Sequence, residues 1–432
     1  MRPARFLSGV SSVGTGLLGA GVFTYLFLSM AGRVLGPEGF APVSSLWALV
    51  FIVGPGLFLP MQQELGRIIA GQRRQRGGAD ALRKVSLIAA GMAALAIAAS
   101  LAVGGWLTRE LFSGRWAMLW CFEGSVVAYA LTFVARGLLS GLGDFGRFGR
   151  LVAAESSVRL AIAGGLVLCH LRSATAFGVA ISLAPVVSTA LVTRLGTRVR
   201  VTSGLPVGWR QATRAVGWLV LGSLLAQFLA NAGPLAVQLL ATGAQADQAG
   251  RFLSALVVAR LSLYLFQAVQ ATLLPNLAEL VAQGRMTEVR AALRRVTAAC
   301  TVLVVVASLG ALLLGSLAVR VLFGSGFAIS GTTMAMLAGA SSMYVLAVAL
   351  SGAAIAAAGH RLSATAWLSG CVGFVAGTLL VHDLFLRVEV GYLLGSSVAA
   401  LVLLVGLPGH LRRHHASTDG AVEGLVTPTA QP

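Results

Sequence analysis

The chain has 432 residues, of which 57% are hydrophobic and 11% are charged, and its formal net charge is +18. A soluble globular domain usually carries about 25% charged residues, so this composition excludes an ordinary soluble protein. Apolar segments recur along nearly the whole chain, which also excludes a soluble domain with a single membrane anchor. The basic residues lie in short loops without interleaved aromatic residues, so we expect no nucleic-acid partner.

Apolar segments long enough to cross a bilayer, which takes about 20 helical residues, follow one another along the chain. They predict an all-α membrane protein with about 12 transmembrane helices. The first segment is too long for a removable signal peptide, and we expect it to be retained. The predicted spans are 6–30, 40–65, 85–108, 116–140, 151–171, 174–195, 215–240, 249–274, 296–319, 329–357, 363–382 and 389–408.

The distribution of basic residues predicts the orientation of these spans. With the N-terminus inside, 23 of the 32 Lys and Arg residues fall on the cytoplasmic side, and two, Arg159 and Arg260, lie within spans. Because cytoplasmic loops are enriched in Lys and Arg, we expect both termini in the cytoplasm. The polar segment 409–432 is predicted to be a disordered cytoplasmic tail.

The two halves of the chain resemble each other. Segments 81–86, 109–112 and 139–141 match segments that begin 211 residues later, at 292, 320 and 350. Each half holds six spans, so the halves are predicted to be parallel repeats that form lobes at 1–200 and 201–408. Secondary transporters with this plan bind substrate near the midplane and move one lobe against the other, so the repeat favours a transporter.

Short motifs between the spans carry a resemblance to a known family. In order and spacing they resemble the multidrug/oligosaccharidyl-lipid/polysaccharide (MOP) exporter superfamily, in its O-antigen-flippase-like polysaccharide-transporter branch. The motifs are GRVLGPEGF at 32–40, RGLLSGLGDFGRF at 136–148, LLP at 273–275 followed by Glu279, and VLFGSGF at 321–327.

This resemblance implies a V-shaped pair of six-helix lobes in the bacterial plasma membrane, around a cavity lined by spans 1, 2, 7 and 8. It implies a flippase that moves a polyprenyl-phosphate- or pyrophosphate-linked glycan to the outer leaflet for cell-surface polysaccharide synthesis. The expected partners are then this lipid-linked glycan, membrane lipids and glycan-assembly enzymes, and no cofactor is expected.

Polar residues within the spans are costly to insert and are therefore candidate functional residues. Arg260, Tyr264 and Gln267 share one face of span 8, and Gln227 and Asn231 share one face of span 7. If these faces meet across the cavity, Arg260 can hold a lipid phosphate by a charge-assisted hydrogen bond. The alternative is that Arg260 caps carbonyl groups or pairs with an acid inside one lobe.

Three further charged residues are candidates for ion pairing or ion coupling. Glu155 and Arg159 stand at i and i+4 in span 5 and predict a mutual ion pair, with a substrate role as the alternative. Glu123 in span 4 is the candidate for proton or sodium coupling. The alternative for Glu123 is a hydrogen-bonded carboxyl group at the outer rim.

Two prolines at matched positions of the halves are candidates for a hinge or gate, because proline kinks a helix. They are Pro60 and Pro275, and an acid follows each after four residues, Glu64 and Glu279. The alternative for these acids is an interfacial ion pair with a nearby arginine.

No residue pattern indicates an enzyme. The six histidines form no Ser/His/Asp or metal-like cluster, and no phosphate-binding Gly-Lys-Ser/Thr loop is present. A cation-coupled multidrug exporter of the same superfamily remains an alternative, although Arg260 and the scarcity of intramembrane acids argue against a cationic substrate. A membrane glycan polymerase or ligase is a second alternative, against which the short outer loops argue. A scaffold that keeps the fold without transport is a third.

Overall fold

A computed structural model describes residues 3–72, 78–194, 208, 216–242, 245, 247–260, 283 and 285–426, with side chains between Gly19 and Arg412 except at Met286. These residues are nearly all helical and contain no strand. Within them, ten helices are long and apolar enough to cross a membrane. The first of these holds two predicted spans, and the predicted span 249–274 begins in a described helix and continues outside the described residues. An all-α membrane protein is therefore confirmed.

The helices fall into two sets, one from each half of the chain. The first half forms α1 (Pro3–Gln72), α2 (Ala79–Ala102), α3 (Gly104–Glu110), α4 (Trp116–Leu142), α5 (Phe145–Leu168) and α6 (Ala174–Arg194). The second half forms α7 (Val216–Leu240), α8 (Gln248–Ala259), α9 (Met286–Gly310), α10 (Ser316–Phe323), α11 (Gly331–Ala356), α12 (His360–Leu380) and α13 (Leu384–Val426).

The long helix α1 is two membrane spans joined at a kink. Gly36 has φ 69° and ψ 173°, and every other residue of α1 is helical. This backbone conformation is nearly exclusive to glycine, because a Cβ atom would clash with the neighbouring peptide groups. Pro37 follows directly, where its missing N–H costs nothing at the start of a helix. We call this end of the bundle the Gly36 end; the distribution of basic residues predicts that it faces outward.

The predicted repeat is visible in the packing of the helices. In the first half α4 packs against α1, α2 and α6, and in the second half α11 packs against α8, α9 and α13. Likewise α5 contacts α1 and α6, and α12 contacts α7 and α13. The equivalent third and ninth spans are both interrupted, one between α2 and α3 and the other by a π-helical turn at Ala311–Gly315.

Two six-helix lobes related as parallel repeats are therefore confirmed. The predicted lobe boundary at residue 200 lies outside the described residues and stays a prediction, as does the cytoplasmic location of the termini.

The C-terminal segment differs from the predicted disordered tail. Helix α13 continues through Pro408 and on to Val426. Extending an existing helix fixes one residue per hydrogen bond gained, which is less costly than nucleating a new helix. The membrane-spanning part of α13 supplies that nucleus for residues 409–426.

The lobes contact each other mainly through α1 of the first lobe and α7 and α8 of the second. These helices contain the spans 1, 2, 7 and 8 that the family resemblance assigns to the cavity. Within the part of the chain that the structure describes, a site shared by the two lobes is therefore expected along α1, α7 and α8.

Candidate functional site

Three of the predicted cavity residues lie together in the second lobe. Arg260 directly follows α8, and its Nη1 donates to Oδ1 of Asn231 on α7 at 3.1 Å. The Asn231 amide nitrogen lies 3.0 Å from the carbonyl oxygen of Gln227 and 3.3 Å from its side-chain oxygen. Arg260 of the predicted span-8 face therefore contacts Asn231 of the predicted span-7 face inside the second lobe. Their role in substrate binding stays a prediction.

Two tyrosines complete the surroundings of this arginine. The Arg260 guanidinium carbon lies 5.8 Å from the centroid of the Tyr392 ring. The Tyr392 ring lies 6.5 Å from that of Tyr344, whose hydroxyl donates to the Ala226 carbonyl at 3.2 Å. A cation over an aromatic face is attracted by the ring quadrupole, so Tyr392 holds the guanidinium against α13. The only sequence feature that could have marked these tyrosines as functional candidates is that each places a polar hydroxyl group within an apolar span.

We call Arg260, Asn231, Gln227, Tyr344 and Tyr392 the Arg260 group. This group retains hydrogen-bonding capacity. Nε and Nη2 of Arg260 and the hydroxyl of Tyr392 are buried, and none has a partner among the described residues. A buried donor without a partner costs about 1–3 kcal/mol, and most such donors in proteins are satisfied. These groups can therefore bind an acceptor such as a phosphate or carboxylate oxygen. Tyr264 and Gln267, predicted on the same face as Arg260, lie outside the described residues.

A second buried cluster lies inside the first lobe, around Glu155. Glu155 Oε1 accepts from Nη2 of Arg159 at 2.8 Å and from the Tyr129 hydroxyl at 3.0 Å, and its Oε2 accepts from Nη2 of Arg136 at 2.6 Å. Glu155 is 6% exposed and Arg159 is 1% exposed. The predicted Glu155–Arg159 pair is present, and the structure adds two residues to it.

Arg136 is one of the 23 basic residues that the sequence assigns to the cytoplasmic side, and its side chain is mostly buried against Glu155. The signal that could have found it is its place inside the apolar segment 116–140, which becomes α4. Nothing in the sequence singles out Tyr129, because its contact with Glu155 depends on how α4 packs near α5.

The Glu155 cluster carries a net positive charge, since one carboxylate faces two guanidinium groups. The excess charge lies against aromatic rings of α1. The Arg159 guanidinium carbon is 5.4 Å from the Trp47 ring centroid and 5.9 Å from that of Phe27. These cation–π contacts partly compensate the buried charge and join it to the helix that contacts the other lobe.

The remaining predicted acids lie apart from the Arg260 group. Glu123 is buried where α4 meets α2; its Oε1 accepts from Ser100 at 2.6 Å, and its Oε2 has no partner among the described residues. Glu64 pairs with Arg67 at 2.9 Å and 2.5 Å, as in the alternative interpretation. Neither contact assigns a coupling or gating role.

The proposed hinge prolines are placed only in part. Pro60 lies inside the continuous helical part of α1. Pro275 and Glu279 lie outside the described residues. The hinge role of both prolines stays a prediction.

One buried acid stands out only in the structure. Glu389 of α13 is 2% exposed, and its Oε1 has no hydrogen-bond partner among the residues that the structure describes. The available sequence signal was its position as the first residue of the predicted span 389–408.

The lobes are joined tightly at the Gly36 end. Arg33 of α1 donates from Nε to the Leu322 carbonyl at 2.7 Å and from Nη2 to the Val321 carbonyl, both near the end of α10. Phe40 packs beside these bonds, with ring centroids 6.1 Å from Phe323 and 5.9 Å from Phe327.

Backbone carbonyl groups of α8 accept further hydrogen bonds from α1, and these extend from the Gly36 end toward the middle of the bundle. The Tyr25 hydroxyl donates to the Val257 carbonyl at 2.6 Å, and the Ser44 hydroxyl donates to the Ala249 carbonyl at 3.2 Å. A Cβ atom added at Gly250 would overlap the Pro37 carbonyl oxygen, so the two backbones touch. The Gly36 end is therefore closed between the lobes.

Comparison with curated proteins finds relatives without an assigned function. No protein-family model matches the chain. Uncharacterized protein Rv3630 of Mycobacterium tuberculosis is 25% identical over 406 residues, which cover 92% of this chain and 91% of the relative. Uncharacterized protein Rv1510 of the same species is 26% identical over 417 residues, covering 91% of this chain and 89% of the relative.

Comparison with solved structures finds transporters. An inward-facing multidrug resistance MATE family transporter of the MOP superfamily matches with a TM-score of 0.71 and 16% identity, over 92% of this chain and 96% of that one. An outward-facing structure described in the same terms matches with a TM-score of 0.67 and 18% identity, over 94% and 96%. At this identity the likeness shows the fold, and the chain therefore has the fold of the MATE family transporters of the MOP superfamily.

Proposed function

We propose that the protein is an exporter of the MOP superfamily that works by alternating access. The observation that carries the proposal is the pair of six-helix lobes, sealed to each other at the Gly36 end beside a buried arginine group. The seal consists of a few hydrogen bonds and aromatic contacts, each worth about 1 kcal/mol, so it can be exchanged for contacts at the other end. Transport then needs a substrate that favours this exchange.

A multidrug substrate with cation coupling is the first candidate, because the solved structures of this fold are described as multidrug transporters. Coupling needs a carboxyl group that can gain and lose a cation. Glu123 and Glu389 are suited to this task, since each is buried with one oxygen that has no partner among the described residues. Both carboxyl groups sit inside their lobes, so an ion bound there would act by changing lobe packing.

A lipid-linked glycan is the second candidate, and one specific observation favours it. The Arg260 guanidinium has two buried nitrogens without a partner in the described part of the chain. A phosphate oxygen can accept from both, which would neutralise the charge and satisfy the donors together. A cationic drug would instead be repelled by Arg260.

The two substrates are separated by one pair of assays on the wild-type protein and on Arg260→Ala. Inverted vesicles with an imposed proton or sodium gradient report gradient-driven uptake of a fluorescent organic cation. Cells depleted of the protein report accumulation of a polyprenyl-linked oligosaccharide on the cytoplasmic leaflet. Arg109→Ala, at an exposed arginine outside both clusters, is the matched control.

Gradient-driven dye uptake without glycan accumulation supports the multidrug exporter, and Arg260→Ala is expected to retain that uptake. Accumulation that is cleared by wild type and Arg109→Ala but not by Arg260→Ala supports the glycan flippase. Absence of both activities, with no redundant flippase in the cells, would contradict both substrate classes.

A further inference from the structure

A cavity separate from the lobe interface opens in the second lobe. It has a volume of about 770 Å³ and lies between α9 and α13, with a contribution from α11. Its walls are mainly apolar and include Leu293 of α9, Leu350 of α11, and Leu404 and Leu407 of α13. Cavities of about 300–1,000 Å³ are of the size that binds small molecules.

One end of this cavity is strongly basic. Arg290 and Arg294 of α9 and Arg412 of α13 line it, and all three side chains are exposed. Arg290 and Arg294 stand at i and i+4, so both lie on the α9 face that looks into the cavity. Among the described residues, those that line the cavity include no carboxylate, so the basic end is complementary to an anion.

The position of the cavity matches one leaflet of a bilayer. The lining of the cavity runs along α9 from Thr287 to Thr301 and rises about 21 Å, at about 1.5 Å per residue. Half of a bilayer of about 40–45 Å, headgroups included, is about 20–22 Å. Helix α9 leads through the π-helical turn to α10 at the Gly36 end, so the arginines lie at the opposite end of the bundle.

The cavity also opens toward the surface that lipid covers. Farther along α9, the apolar side chains Val302, Val305 and Val306 are all exposed. In the most apolar 18-residue stretch of the span Thr287–Phe323, only 11% of the residues are buried inside the protein. A lipid molecule can therefore reach the cavity sideways from the bilayer.

We propose that this cavity binds an anionic phospholipid of the leaflet at that end, which the distribution of basic residues predicts to be the cytoplasmic one. The phosphate lies on Arg290, Arg294 and Arg412, and an acyl chain lies along the leucines. A free phosphate would leave the apolar walls uncovered, and a neutral phospholipid would place its own cationic group beside three arginines. The bound lipid would cover α9 where protein contacts are few.

The test uses the purified full-length protein and native mass spectrometry. The probes are phosphatidylglycerol and phosphatidylcholine with identical acyl chains at equal mole fraction. We expect the wild type to retain phosphatidylglycerol in preference to phosphatidylcholine. Arg290→Gln with Arg294→Gln should weaken retention of phosphatidylglycerol about thirty-fold, as expected for loss of two basic contacts near the membrane surface.

Two further variants separate charge from shape. Arg109→Gln with Arg115→Gln removes two exposed arginines elsewhere, and we expect retention as in the wild type. Thr297→Trp keeps all three arginines but fills the cavity at one of its lining residues, and we expect it to lose the phosphatidylglycerol adduct.

Four lipid-binding results would overturn the proposal. They are unchanged retention in the Arg290/Arg294 variant, unchanged retention in Thr297→Trp, equal retention of the two lipids by wild type, and displacement of phosphatidylglycerol by inorganic phosphate. If the wild type shows a dimer mass and the Arg290/Arg294 variant does not, the cavity binds a second copy of the chain. This result would also overturn the lipid proposal.

Discussion

Glu155 is the acid on which two buried cations of the first lobe depend. It contacts Arg136 and Arg159 at 2.6 Å and 2.8 Å, and the Nε atom of each arginine has no partner in the described residues. Removing one member of a buried ion pair leaves the other charge without compensation, which is far more costly than never having the pair. The same carboxylate here serves two guanidinium groups.

We therefore expect Glu155→Gln to destabilise the protein by about 3–5 kcal/mol, since it leaves two buried arginines without a counter-charge. The measurement is thermal unfolding of the detergent-purified protein. Glu288→Gln is the matched control, because Glu288 pairs with Arg285 on the surface and such pairs contribute about 0–1 kcal/mol. Equal shifts of the midpoint in both variants would show that the Glu155 cluster is not a stabilising element.

The residues of this cluster differ in how far the sequence could predict them. Glu155 and Arg159 are four residues apart on one helix, so their pairing follows from helix geometry alone. Arg136 and Tyr129 reach Glu155 from α4, and their contact depends on the packing of α4 near α5. The sequence could not predict the Arg260–Asn231 contact for the same reason, because this contact joins two different helices.

At the scale of the helices, the glycine and aspartate in the motif at 136–148 determine where α4 ends and α5 begins. Gly143 ends α4 with φ 71°, a left-handed conformation in which glycine is favoured. Asp144 follows as the N-cap of α5, and its side chain accepts from the Arg147 amide at 3.1 Å. The sequence Leu-Gly-Asp-Phe thus stops one span and starts the next.

The kink between the two membrane spans of α1 depends on a single residue, Gly36. We expect Gly36→Ala to destabilise the protein by about 1–3 kcal/mol, because φ 69° with ψ 173° is strained for any residue with a Cβ atom. The readout is the midpoint of thermal unfolding. Gly91→Ala, in the interior of α2 with open space around its Cβ position, is expected to be neutral or stabilising by about 0.4–1 kcal/mol. A neutral Gly36→Ala would mean that the kink can move along the chain.

At the scale of the whole molecule, the closed state rests on close contact between backbones of the two lobes. Gly250 of α8 lies against the Pro37 carbonyl of α1, beside the Arg33 and Phe40 contacts to α10 and the turn after it. Such contact leaves no flexible side chain to move aside. Any added atom there must separate the lobes or strain α8.

Gly250→Ala is therefore expected to favour a state that is open at the Gly36 end, at an overpacking cost of about 1–3 kcal/mol to the closed state. Spin labels on cysteines that replace the exposed residues Arg115 and Arg320, in a cysteine-free background, report the separation of the lobes. The distance distribution should shift to longer values. Gly217→Ala, on α7 with no atom near its Cβ position, should leave it unchanged. A Gly250→Ala distribution like that of the control would argue against a seal at this contact.

The sequence by itself determined the helical class, the positions of the spans and the repeat. These features follow from local patterns, since a bilayer demands about 20 apolar residues per span and backbone hydrogen bonds within each helix. Tertiary structure decided which polar residues share a site, which end of the bundle is closed, and that α9 and α13 form a basic cavity. Contacts between helices depend on the rotation of each helix about its axis and on its depth in the membrane. Because the chain is uniformly apolar and has few charged residues, its composition and periodicity specify neither the rotation nor the depth.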